Sequence, residues 1–302
     1  MILGGTTPDR PGPGPLLPAA LHALDLVVGR KLNGLLAGDY RSNEHGDGVE
    51  LAQLRPYVAG DDVRKLEWNV TARTGIPHVR VDLAERALVS WLLLDTSPSM
   101  QFGTAERRKA DVAAGVAIAV AHVATRRGNR LGVATFGDDD PRVLPPHQGR
   151  AGLVGLLAAL EREPQAEGGG ATSLGAGVVR LGALARQRGV VVVVSDFRGP
   201  LDWRRPLLQL LGRHQVLAVE VRDPREQELP DVGELWLSDP ETGRQVRVDT
   251  GSRRLRERFA AAAAEERTGV ARVLSALAVP HVVLSTDGDW LRPLAGFLAG
   301  RR

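Results

Sequence analysis

Cysteine is absent from the 302 residues, which excludes disulfides and any thiolate metal site and fits a reducing compartment. Lysine is nearly absent: Lys31, Lys65 and Lys109 are the only three, and almost all the basic charge is arginine. Aromatics make up 4% of the chain, with two tyrosines. The net charge is only +3 and no long basic block occurs, so the pI near 9.8 gives little support to nucleic-acid binding. No stretch of 18 consecutive apolar residues is present, so no transmembrane helix is expected. The amino terminus lacks a charged region followed by an apolar one, and a cytoplasmic location follows as the expectation. The seven histidines are scattered without a paired metal spacing.

What is present is ample apolar sequence, 43% hydrophobic, in a strand-and-helix alternation that begins near residue 87. Apolar runs mark strands at about 88–95, 130–136, 190–196, 215–221 and 280–285. Helical periodicity falls at about 105–127, 151–161, 173–188, 202–213, 252–278 and 290–300. Short antiparallel additions are expected at 142–145 and 234–248. The valine run 190–194 has no polar face, as a central parallel strand covered on both sides requires. The fold class read from this pattern is α/β, a doubly wound and mostly parallel sheet. We place this domain at 87–302.

The first fifteen residues are rich in Gly and Pro and read as a disordered or polyproline-like tail. Residues 16–86 form an accessory segment. Leu21, Leu24, Val28, Leu32 and Leu35 have helical spacing. Val49 and Leu51, then Val79, Val81 and Leu83, alternate as two strands of a hairpin. Between them Asp61 or Asp62 is suited to cap a short helix.

The candidate site begins with Asp95, Ser97 and Ser99, an Asp-x-Ser-x-Ser triplet leaving the carboxyl end of the strand 88–95. Open parallel sheets place ligands at that edge. A carboxylate and two hydroxyls suit a hard cation such as Mg²⁺, Mn²⁺ or Ca²⁺, with further oxygens needed to fill the shell. Two later segments offer them: the glycine-rich loop 168–177, containing Thr172, and the strand ending at Ser195 and Asp196. The bland readings are that Ser97 and Ser99 only cap a helix and that the glycine loop is only a helix entry. Asp138 to Asp140 read as a solvated turn between strands, with cation binding the lesser reading.

In that order, Asp95, Ser97, Ser99, Thr172 and Asp196 resemble the metal-ion-dependent adhesion site of von Willebrand factor type A domains. Upstream, Glu50, Leu51, Leu54, Arg55, Pro56, Tyr57, Gly60, Asp61, Asp62, Arg64, Trp68, Ala72 and Arg73 resemble the signature of domain-of-unknown-function family 58. Members of that family are von Willebrand A-like proteins associated with MoxR-type AAA+ ATPases. The resemblance implies a metal-dependent protein-interaction module, not an enzyme. It would hold Mg²⁺ or a similar divalent cation on the five residues above. Its implied partners are a MoxR-type AAA+ ATPase and a client protein undergoing chaperone-like maturation. Some relatives carry amino-terminal membrane helices; none is expected here, so membrane tethering is not carried over. Arg55, Asp61, Asp62, Arg64 and Arg73 are expected to form a buried ion-pair network holding the accessory segment to the sheet, with partner docking the other role. Trp68 is expected in the core.

The alternative function is a metal-dependent phosphatase-like hydrolase. Such enzymes place a second carboxylate where Ser97 stands, and no lysine follows Lys109. A nucleotide-binding Rossmann protein is disfavoured because neither phosphate-binding glycine motif is present in the right context.

Overall fold

The computed structural model describes residues 45–83, 89–103, 106–124, 129–138, 140–148, 173–238 and 244–299. These fall into two compact units, one within residues 32–87 and one from residue 88 onward. The expected tail, the helix near 18–36 and the helix at 151–161 lie outside the described residues.

In the smaller unit β1 (His45–Pro56) pairs antiparallel with β2 (His78–Leu83), through registers such as Arg55 with Val79 and Pro56 with His78. A 3₁₀ turn, Val63–Lys65, is capped by Asp62, whose carboxylate accepts from the Arg64 N–H. The helix Trp68–Thr74 follows and ends at Gly75, which adopts φ +69° as a left-handed cap.

The larger unit is a six-stranded sheet. Its strands are β3 (Val89–Asp95), β4 (Arg130–Phe136), β5 (Val143–Gln148), β6 (Gly189–Ser195), β7 (Gln215–Arg222) and β10 (His281–Ser285), in the order β10-β7-β6-β3-β4-β5. All neighbours are parallel except β5, which runs antiparallel to β4. A separate hairpin pairs β8 (Glu234–Ser238) with β9 (Gln245–Asp249). The expected α/β, doubly wound and mostly parallel sheet is therefore the observed architecture, with both antiparallel additions in place.

The two central strands are the most apolar. Every residue of β3 and β6 is buried. Five consecutive valines give β6 branched side chains on both faces, which favours strand geometry and a cover on each side. The helix Lys109–Ala124 buries most of its length, not one stripe; small Ala and Gly residues let it lie close. By contrast the helix Arg253–Ala276 has only Val270 and Leu274 buried, both within the main core.

This topology creates the crevice. The chain leaves β3 to reach β4 on one side, and leaves β6 to reach β7 on the other. The carboxyl ends of β3 and β6 therefore flank a switch point, the place where connections diverge and open α/β sheets bind ligands. Asp95 ends β3 and Asp196 follows β6 directly.

Candidate metal centre at the sheet edge

The loop after β3 is pinned before its oxygens are presented. The Thr96 N–H and hydroxyl both donate to the Phe136 carbonyl, at 2.8 Å each. The Thr96 hydroxyl also reaches Asp138 Oδ2 at 3.0 Å, so Asp138 is not simply part of a solvated turn. Gly137, with φ +95°, passes so close that a Cβ there would lie 2.7 Å from the Ser97 N and 2.9 Å from Asp95 Oδ1. No side chain fits that approach.

Ser97 occupies the cap position of the 3₁₀ turn Pro98–Gln101, yet its side chain makes no capping hydrogen bond. Its hydroxyl lies 3.0 Å from Ser99 Oγ, and Ser99 Oγ donates to Asp196 Oδ2 at 2.9 Å. The simple cap reading of Ser97 thus does not describe where its oxygen points. Helix capping is done instead by Ser173, which accepts from the Ala176 N–H at the start of the helix Leu174–Leu184. Thr172 lies outside the described residues.

Asp95 is buried and held by both oxygens. Oδ1 accepts from the Ser97 N–H at 3.0 Å, and Oδ2 from the Ser195 hydroxyl at 2.5 Å. Ser195 in turn accepts from the Phe197 N–H at 3.0 Å. Phe197 has φ +53°, an uncommon backbone state for a non-glycine residue, directly after Asp196.

Burial, followed by the neighbouring Asp196 charge, pushes the Asp95 carboxyl up to about 7, against the pull of the Ser195 and Ser97 hydrogen bonds. Asp196 goes the other way. Its burial favours the neutral form, but the Lys109 charge and hydrogen bond, with donors from Arg198 and Ser99, outweigh it and hold the carboxyl below its usual range. Two carboxylates at one edge are thereby driven apart in acidity.

The partner responsible is a lysine that the motif spacing does not mark. Lys109 is fully buried, and its ammonium donates to Asp196 Oδ2 at 2.6 Å and to Glu226 Oε1 at 2.7 Å. Arg198 Nη1 also donates to Glu226 Oε1, at 2.9 Å. Gly137, Lys109 and Glu226 therefore join the site, together with Ser195 at the end of β6. The available signal for Lys109 is a lysine opening a helix whose only other charged or titratable residues are Asp111 and His122, in a chain with three lysines.

The donor set is compatible with a hard cation. Ligand distances of ~2.0–2.1 Å around Mg²⁺ put adjacent octahedral oxygens ~2.9 Å apart. The hydrogen-bonded steps from Ser97 Oγ to Ser99 Oγ and on to Asp196 Oδ2, 3.0 and 2.9 Å, are ordinary O–H···O lengths that such a shell also accommodates. The set is rich in hydroxyls; among the described residues no three His, Cys, Asp or Glu side chains gather to hold a metal.

In the smaller unit Arg55 makes a two-pronged pair with Asp61, at 2.7 and 2.6 Å, and Asp61 also accepts from the Val58 N–H at 2.8 Å. Asp62 pairs with Arg64 in full view of solvent. The Asp61 hydrogen bond and charge raise the Arg55 pKa, and the Arg64 contacts lower that of Asp62. Tyr57 is half-buried, and its backbone N–H bonds to the Pro77 carbonyl. Arg73 is exposed in the last helical turn. The expectation that these pairs are buried is thus corrected: Arg55–Asp61 is part-buried and Asp62–Arg64 is exposed. Trp68 is also corrected, being 68% exposed on a helix that has no buried residue.

Comparison with known proteins agrees with the resemblance. Uncharacterized protein Rv1480 of Mycobacterium tuberculosis is 42% identical over 290 residues, covering 95% of this chain and 90% of the relative. Uncharacterized protein Mb1516 of Mycobacterium bovis matches equally. Among solved structures, the conserved hypothetical protein BatB from Bacteroides thetaiotaomicron is 13% identical, with a TM-score of 0.47 over 71% of this chain and 98% of that one. The SpRpn10 VWA domain is 16% identical, with a TM-score of 0.37 over 70% of this chain and 95% of that one. Among the described residues no helix is long and apolar enough to cross a membrane. Residues 53–269 match the family described as "Protein of unknown function DUF58", and the chain belongs to that family.

Proposed function

We propose that the chain is a non-catalytic, metal-dependent protein-interaction module serving a MoxR-type AAA+ ATPase in the maturation of a client protein. The observation that carries the metal-dependent part is the chain of contacting oxygens Ser97–Ser99–Asp196, with the Asp95 carboxylate beside it, at the sheet edge where the connections diverge. The ATPase partnership is supported by the resemblance of residues 50–73 to the signature of the family.

Ser97, Ser99 and Asp196 would hold Mg²⁺ or a similar cation, with Asp95 supplying the second carboxylate and Thr172 a further hydroxyl. Such a cation supplies a Lewis-acidic position open to a carboxylate from the partner. The chain's own residues do the rest. Ser195 and the Ser97 N–H orient Asp95. Gly137 and Thr96 hold the triplet loop against the end of β4. Position 97 is a serine, so the general acid or base of a phosphatase-like site is missing there.

The test is capture of the purified cognate MoxR-type ATPase by the full-length chain, in Mg²⁺ and in EDTA. Capture in Mg²⁺ that is lost in EDTA and in Ser97→Ala supports the reading. Equal capture in EDTA removes the metal from it, and no capture under either condition removes the ATPase. Turnover of a generic phosphate ester with Mg²⁺ would contradict the non-catalytic assignment.

A further inference from the structure

The oxygen that completes the hydroxyl run is already engaged by a positive charge. Asp196 Oδ2 accepts from Ser99 Oγ and from Lys109 Nζ, at 2.9 and 2.6 Å. A cation using Ser97, Ser99 and Asp196 must share that atom with an ammonium.

Lys109 is not placed there by chance packing. It opens the helix Lys109–Ala124, and its backbone N–H donates to the Phe102 carbonyl at 2.9 Å, which anchors it to the loop that carries the triplet. Its second partner, Glu226, is fixed independently. The 3₁₀ turn Pro224–Glu226 begins with a capping box, in which the Asp223 N–H donates to Glu226 Oε2 at 3.3 Å. Asp223 is fully buried and accepts from the Thr286 hydroxyl at 2.7 Å. Glu226 therefore holds the ammonium from the far side while Asp196 takes it from the near side. Lysine is almost never fully buried unless paired, and here both partners are carboxylates.

We propose that Lys109 is an internal counter-cation: it satisfies Asp196 in the metal-free protein and lowers the affinity of the site for a divalent cation. The inference rests on the metal-dependent reading above. Its consequence is conditional loading. The ammonium repels an incoming cation and weakens Asp196 as a donor, so the cation is retained best when a partner carboxylate arrives with it. Lys109 is thus a positioning residue that sets affinity without being a ligand.

The experiment uses the full-length chain and Mn²⁺, followed by electron paramagnetic resonance, with Lys109→Met as the neutral variant of similar length. Repulsion between a unit charge and a divalent ion a few ångströms away corresponds to at least about tenfold in affinity, so the Mn²⁺ dissociation constant should fall by that factor. The melting midpoint of the variant should drop in EDTA and recover with Mn²⁺ by more than that of the wild type. If Lys109→Met does not fold, Lys109→Met/Glu226→Gln removes the buried pair as a neutral unit, and it should likewise bind Mn²⁺ more tightly than the wild type. Saturable binding that is unchanged or weaker in the variants overturns the role of Lys109 and leaves the metal site standing. No saturable binding in the wild type or in either variant overturns the metal site, and the inference with it.

Discussion

Two clusters in this chain pair carboxylates with basic side chains in different surroundings. At the sheet edge, Asp95, Asp196 and Lys109 are buried, and Glu226 retains only slight exposure. In the smaller unit, Arg55–Asp61 is part-buried and Asp62–Arg64 is solvated. Water screens the second cluster, so its pairs act as local braces of a turn and contribute little. Burial makes the first cluster consequential. A carboxylate there either takes a proton, as the raised Asp95 favours, or takes a cation, as Asp196 does with Lys109. A place where charge must be matched group by group is a place where a ligand can be recognised.

The sharpest way to break this contrast is Asp196→Ala in EDTA. It leaves Lys109 buried with one carboxylate fewer, and removing one partner of a buried pair costs about 3–5 kcal/mol, measurable by urea unfolding. Gly137→Ala should follow. The left-handed backbone and the close approach to Ser97 and Asp95 should cost on the order of 1–3 kcal/mol and should also abolish metal binding, because the triplet loop must move. Ser195→Ala removes one hydrogen bond to Asp95 and should cost about 1–2 kcal/mol. At the other cluster, Arg64→Ala should leave the unfolding midpoint where it is. Trp68→Ala should behave the same way, since its ring is largely in water. A large loss of stability in either would mean that the solvated cluster does structural work.

The strands were legible because their burial is written into consecutive residues. Five valines in a row, or Trp91 to Leu94, have few other places to go. Asp95 and Asp196 were legible for the same reason: each ends such a run, and the edge of a parallel sheet is where ligands bind. Ser97 and Ser99 followed from spacing. Lys109 and Glu226 did not, because the contacts that define them span 87 and 117 residues, and a lysine at the head of a helix does not say which carboxylates it will meet. Gly137 was invisible because what it excludes lies on a neighbouring loop. Trp68 misled for the converse reason. An aromatic residue carries a prior for the core, but its seven-residue helix has no buried face to place it there.

The most direct measurement is a Mn²⁺ titration of the full-length protein by electron paramagnetic resonance, beside the Ser97→Ala/Asp196→Ala variant. The account predicts one saturable site in the wild type and none in the variant. A wild type without a saturable site, or a variant that keeps it, would contradict the assignment of the crevice as a metal centre.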